Sequence, residues 1–113
     1  MENFIKNYIL SREEFLPFTR AIEFAHEEPK SYHYSNEVDM LNRLVLGCTA
    51  KQFKAQHGLG NILSIHPYLS TQQTKAIRAL QNEDIPLLYT HVPFQERKQA
   101  LTNFYNDTLA IGG

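Results

Sequence analysis

Five histidines, one cysteine and three pairs of neighbouring carboxylates are the residues here that could do chemistry, and their spacing argues against most of it. His26, His33, His57, His66 and His91 stand far apart and form no HxxxH pair. A zinc site wants three or four ligands, with such pairs or cysteine and acidic partners close by. The histidines are therefore expected as solvated or helix-capping side chains, with His57 ahead of Gly58 suited to the negative end of a helix dipole. Cys48 precedes a helix start at Thr49, a position that can lower a thiol pKa. The apolar run Leu44–Gly47 before it points instead to a buried, inert thiol. The pairs Glu13-Glu14, Glu27-Glu28 and Glu83-Asp84 are adjacent in sequence, so on a helix they diverge by ~100° and cannot converge on one bond; they read as solvated faces and caps. There is no GxSxG, Walker loop or GxGxxG, and Gly58-Leu59-Gly60 lacks both the third glycine and a preceding strand. The expectation is a protein that is not an enzyme and needs no metal or cofactor.

The elements that must carry these residues are helices. Ser11-Arg12-Glu13-Glu14, Thr49-Ala50-Lys51-Gln52 and Ser70-Thr71-Gln72-Gln73 are capping boxes, in which a hydroxyl and a longer polar side chain satisfy each other's orphan amides. Phe4 with Tyr8 and Ile5 with Ile9 share helical spacing, as do Phe15, Phe18, Ile22 and Ala25, with Pro17 near the first turn and Glu27–Ser31 as the stop. Tyr32-His33-Tyr34 is expected as an aromatic link, and the next helix as starting at Ser35 or Asn36. It should run to Leu46 with Val38, Leu41, Leu44 and Val45 inward and Gly47 as the left-handed stop. A short helix then carries Phe53 and closes at Gly58, with Leu59 folding back. The longest helix opens at Ser70 with Ala76, Ile77 and Leu80 inward, and either kinks or breaks at Pro86. Pro93 opens a last helix, on which Phe94, Arg97, Leu101 and Phe104 or Tyr105 share a face. The fold class is all-α: a compact single domain, 1–113, of five to six short helices, with 1–31 as an N-terminal helical extension.

Composition narrows the function classes. A chain of 113 residues with 42% hydrophobic and 20% charged residues can bury its own core without a disulfide or metal staple. The lone cysteine and the polar, acidic start (Met1-Glu2-Asn3) suggest a reducing compartment, the host cytoplasm. The longest uncharged apolar run, Leu44–Cys48, is far short of the ~20 residues that span a bilayer. A net charge of −1 lacks the basic surplus expected of a duplex-DNA binder.

From Tyr34 onward the order of signals resembles a known phage segment. Tyr34-Ser35-Asn36-Glu37, Leu41-Asn42 and Leu46-Gly47-Cys48-Thr49-Ala50-Lys51-Gln52-Phe53 carry the likeness. It continues through Ile65-His66-Pro67-Tyr68-Leu69-Ser70, Gln73, Leu80 and Glu96-Arg97. The segment (34–105 here) resembles the one that follows the DNA-binding domain in KilA-N-type, antirepressor-like proteins of phages and prophages, here without that domain. Cys48 stands where a methionine is expected, and His66-Pro67 where a more polar pair is. The resemblance implies an oligomerisation or partner-binding unit.

Tyrosine adds weight to that implication, because it offers large contact area at little entropic cost. Tyr32, His33 and Tyr34, with Tyr68, Tyr89 and His91 near other element ends, are the candidate partner surface. The expectation is a non-enzymatic phage or mobile-element protein that binds a host or phage protein, as an inhibitor of a defence or regulatory factor or as an antirepressor-like module, and that self-associates as a homodimer. The alternative is a DNA-binding regulator with a helix-turn-helix around residues 38–56, using Lys51, Gln52 and Lys54.

Overall fold

The computed structural model describes residues 16–60 and 65–109. As the patterning predicts, they form an all-α fold. The helices are α1 (Leu16–Ala25), α2 (Ser31–Leu46), α3 (Ala50–Gln56), α4 (Thr71–Tyr89) and α5 (Phe94–Phe104). A 3-10 turn, His66–Tyr68, precedes α4, and a π-helical turn, Tyr105–Leu109, continues α5. The expected capping box at Ser11 and the pairs Phe4–Tyr8 and Ile5–Ile9 lie outside the described residues.

Helix α4 is the axis of the fold, and α1, α2 and α5 all pack on it. The main core joins Phe18, Ala21 and Ile22 of α1, Tyr34, Met40 and Leu41 of α2, Leu80 and Leu88 of α4 and Leu101 of α5. Phe18 with Ala21 and Ile22, Tyr34 with Leu41, and Leu80 with Leu88 stand one to two helical turns apart, the spacing that puts them on one face. Fully burying a side chain such as Leu or Phe contributes roughly 1.5–3 kcal/mol. A smaller cluster of Cys48, Phe53 and Ile65, packed by Leu46, Ala50, Leu59 and Leu69, lies around α3. Cys48 is buried there, as the apolar run before it suggests.

Local chemistry sets most boundaries. Gly47 ends α2 at φ 77°, its amide donating to the Arg43 carbonyl at 3.0 Å. Both described capping boxes form: the Gln52 amide donates to Thr49 Oγ1 at 3.2 Å and the Gln73 amide to Ser70 Oγ at 3.0 Å. The two glutamines return the contact, each Oε1 accepting from its cap residue's amide at 2.9 Å. Helix α4 passes through Pro86 without ending. Pro86 is exposed, so the carbonyl deprived of its donor can turn to water.

The start of α2 departs from the sequence reading. Tyr32-His33-Tyr34 is the first turn of the helix, which begins at Ser31 and not at Ser35 or Asn36. The reason is an unconventional cap. His33 Nδ1 accepts from the Lys30 amide at 3.0 Å, doing the work a glutamate does in a capping box. A second correction concerns Glu83-Asp84: Glu83 is exposed, but Asp84 is fully buried. It sits four residues beyond Leu80 and four before Leu88, on the inward stripe of α4.

Candidate functional site

Two features meet at one end of the bundle: a buried knot of charged side chains and an exposed face of aromatic and imidazole rings. The knot is built from α2, α4 and α5. Glu37 lies on the same side of α2 as Tyr34 and Leu41, and Arg97 lies between Phe94 and Leu101 on α5. Arg97 grips Glu37 with two hydrogen bonds, Nε to Oε2 at 2.8 Å and NH2 to Oε1 at 2.7 Å. Its third nitrogen, NH1, donates to the Val92 carbonyl at 2.6 Å and so ties the α4–α5 corner to the knot. Asp84 Oδ1 stands 3.8 Å from Arg97 Nε, too far for a hydrogen bond.

The knot has one cation for two carboxyl groups, and burial decides which carboxyl gives way. Burial first, and then the neighbouring Glu37 carboxylate, push Asp84 up to about 9, against the pull of Arg97. Neither Asp84 oxygen has a hydrogen-bond partner. At neutral pH Asp84 keeps its proton, leaving Glu37 and Arg97 as a compensated pair. Burial lowers the Arg97 pKa, but the Glu37 hydrogen bond and the charges of Glu37 and Asp84 outweigh it, so the net direction is upward.

Above the knot, the ends of α1 and α4 and the start of α2 present their rings outward. Phe24, in the last turn of α1, is 56% exposed and meets Tyr89 at a 4.9 Å centroid distance and His91 at 5.4 Å. Tyr32 is 57% exposed and tilts on His33 at 4.4 Å. His33 in turn stacks on His26 at 3.6 Å, with planes 5° apart. His26 also feels the charges of His91, Arg97 and Glu37, so it lies within electrostatic reach of both ring groups and of the knot. Burial comes first and His33 second among the causes that hold the His26 pKa below its ordinary value.

The corner carrying His91 is strained. Its amide donates to the Leu88 carbonyl at 3.1 Å and the Val92 amide to the Leu87 carbonyl at 3.0 Å, the pair of bonds of a Schellman helix end. His91 therefore occupies the position usually given to glycine, at φ 57°, a conformation that costs an L-residue roughly 1–2 kcal/mol.

The candidate partner surface is thus divided by the fold. Tyr32, His33, Tyr89 and His91 come together on the face. Tyr34, expected on it, is instead 1% exposed in the main core, because the helix begins early enough to turn its ring inward. Tyr68 is exposed but lies on the 3-10 turn beside the small cluster, with no ring contact to the face. Lys51 and Gln52 are exposed on α3, and Lys54 is half-buried. Sequence reasoning missed Phe24, His26 and the knot. Arg97 was legible as inward-facing, and charged residues on the inward stripes of α2 and α4 were the available signal for its partners.

No family model, curated protein or solved structure matches this chain. What the face can do follows from its own chemistry. Among the described residues no group of three histidine, cysteine or acidic side chains is placed to hold a metal ion. No described helix is long and apolar enough to cross a membrane. A shallow groove of about 140 Å³ between α2 and α5, lined by Met40, Arg43, Leu44, Phe94 and Lys98, brings no carboxylate, hydroxyl or imidazole together.

Proposed function

We propose that this chain is a protein-binding module whose contact surface is the ring face of Phe24, Tyr32 and Tyr89 with His26, His33 and His91. The observation that carries the proposal is three large aromatic side chains, each more than two-fifths exposed, gathered from three chain segments onto one end of the bundle. Water contact with such surface costs roughly 25 cal/mol per Å² of apolar area, which burial under a partner recovers. The left-handed His91 supports the reading, since it holds an imidazole where glycine would be less strained. Taken with the phage-protein resemblance, the face fits a protein that acts by occupying a host or phage protein, as an inhibitor or an antirepressor-like unit, with no turnover. The test is a set of single alanine variants at Phe24, Tyr32 and Tyr89 and their triple combination. Affinity capture from host extract and sedimentation of the pure chain are the readouts, with circular dichroism as the control for folding. At least one single variant should weaken capture, or self-association if the occupant is a second copy, by ~1 kcal/mol or more. Equal capture and equal mass for the folded triple variant would sink the proposal.

A second reading rests on the α2–α3 junction. The three residues Gly47, Cys48 and Thr49 join two helices, and the second presents Lys51 and Gln52 outward, the outline of a helix-turn-helix. Helix α3 is seven residues long, which leaves fewer base-reading positions than the ring face leaves contact area. Duplex retardation at low salt that fades steeply as salt rises is the result this reading requires.

A further inference from the structure

We propose that the ring face is a pH-gated surface, in which protonation of the stacked His26–His33 pair uncaps α2 and disassembles the part of the face that carries Tyr32. The inference rests on the binding role proposed above for this face and adds its regulation.

The geometry gives His33 two duties that need its neutral form. It caps α2, because Nδ1 accepts the Lys30 amide hydrogen at 3.0 Å, and an Nδ1 that carries a proton cannot accept. It also lies nearly parallel to His26 at 3.6 Å, a separation at which two imidazolium rings repel. A third consequence has the same sign. His33 is in the first turn of a 16-residue helix, where the macrodipole disfavours a cation. Tyr32 leans on the His33 ring, so its place on the face depends on that cap.

Most of the charged groups packed around His26 disfavour a proton there. From α5, Arg97 disfavours a second cation beside His26, and from the α4–α5 corner His91 does the same. From α2, Glu37 favours one, but it is already engaged by Arg97. In the α1–α2 link, Lys30 pairs with Glu28 at 3.5 Å on the surface. Burial is the largest influence on His26 and also resists its protonation. The linkage sign follows. A base held below its unfolded pKa of 6.5 contributes stability that is present above pH 6.5 and lost as pH falls through its folded value. Tyr34, one residue along, is anchored in the main core, so the loss should stay local to the first turn of α2.

The experiment is amide hydrogen exchange by NMR on the full chain between pH 7.5 and 5, corrected for intrinsic rates. The protection of the Lys30 and His33 amides should fall at least tenfold across that range, while amides of Leu80 and Leu101 stay protected. In His33→Glu a carboxylate can accept from Lys30 and remains ionised to about pH 4.3. That variant should keep the first turn protected at pH 5. Unchanged protection of the wild-type turn at pH 5, or an equal loss in wild type and His33→Glu, overturns the gate. These readouts need no partner, so the gate can stand if the binding reading fails. Once a partner is in hand, its affinity should drop at least fivefold from pH 7.5 to 5.5 for wild type and less than twofold for His33→Glu. A pH-independent affinity in wild type would leave the binding role intact and remove the gate.

Discussion

Helices α3 and α4 end with the same pair of hydrogen bonds but with opposite choices of residue. At the end of α3, the Gly58 amide donates to the Ala55 carbonyl and the Leu59 amide to the Lys54 carbonyl, with Gly58 at φ 63°. At the end of α4, His91 takes the corresponding left-handed position. Behind Gly58 lies the small cluster, whose members are each 6–7% exposed. Behind His91 lies the main core, with Arg97 bonded to the carbonyl of the next residue, Val92. The difference shows where backbone strain can be borne. Glycine closes the corner that has little packing behind it, and a strained side chain is tolerated where a buried guanidinium pins the turn.

The comparison can be broken most severely at the pin. Arg97→Met should destabilise the protein by about 3–5 kcal/mol in urea titrations, because Glu37 is left buried and unpaired and the Val92 carbonyl loses its donor. A cost no larger than that of an exposed ion pair would mean that the knot does not hold the corner.

Removing the spare proton carrier should do the reverse. Asp84→Asn puts a side chain of the same shape that cannot ionise beside Glu37. For Asp84 itself, raised from 3.8 to about 9, stability is fully present below pH 3.8 and is lost as pH rises towards 9. The asparagine variant lacks that loss, so its advantage over wild type should grow by at least about 1 kcal/mol between pH 6 and 8. Parallel stability curves for the two proteins would show that Asp84 is ionised in the fold.

The smallest effects test the two corners directly. A Cβ added at Gly58 meets nothing within 4 Å, so Gly58→Ala isolates the conformational penalty and should cost about 1 kcal/mol. At His91 the usual order should invert. His91→Ala, which keeps the strain and loses the Phe24 contact, should be less stable than His91→Gly by about 1 kcal/mol in thermal unfolding. If alanine equals glycine there, the corner is not strained.

Much of the fold was legible in advance because its punctuation is local. Gly47, Thr49 with Gln52, Gly58 with Leu59, and Ser70 with Gln73 each act within a few residues, and each lies where the sequence reading placed it. The start of α2 was not legible, because the cap is a histidine, a residue type outside the usual capping pattern. Four of the six ring-face residues, Tyr32, His33, Tyr89 and His91, could be read as tyrosine and histidine near element ends. Phe24 and His26 could not, since only tertiary packing brings the end of α1 beside the α4–α5 corner. The knot was hidden for a similar reason: Glu37 and Arg97 are 60 residues apart, and Asp84 reads as a solvated helix acid until its stripe is known.

The proton held by Asp84 also changes how the whole molecule behaves in solution. A formal balance of −1 counts that carboxyl as ionised. With it neutral, the protein carries almost no net charge near pH 7 and has little long-range repulsion between copies. Its solubility should pass through a minimum close to neutrality, and ionic strength, more than small changes in pH, becomes the practical means of keeping it dispersed.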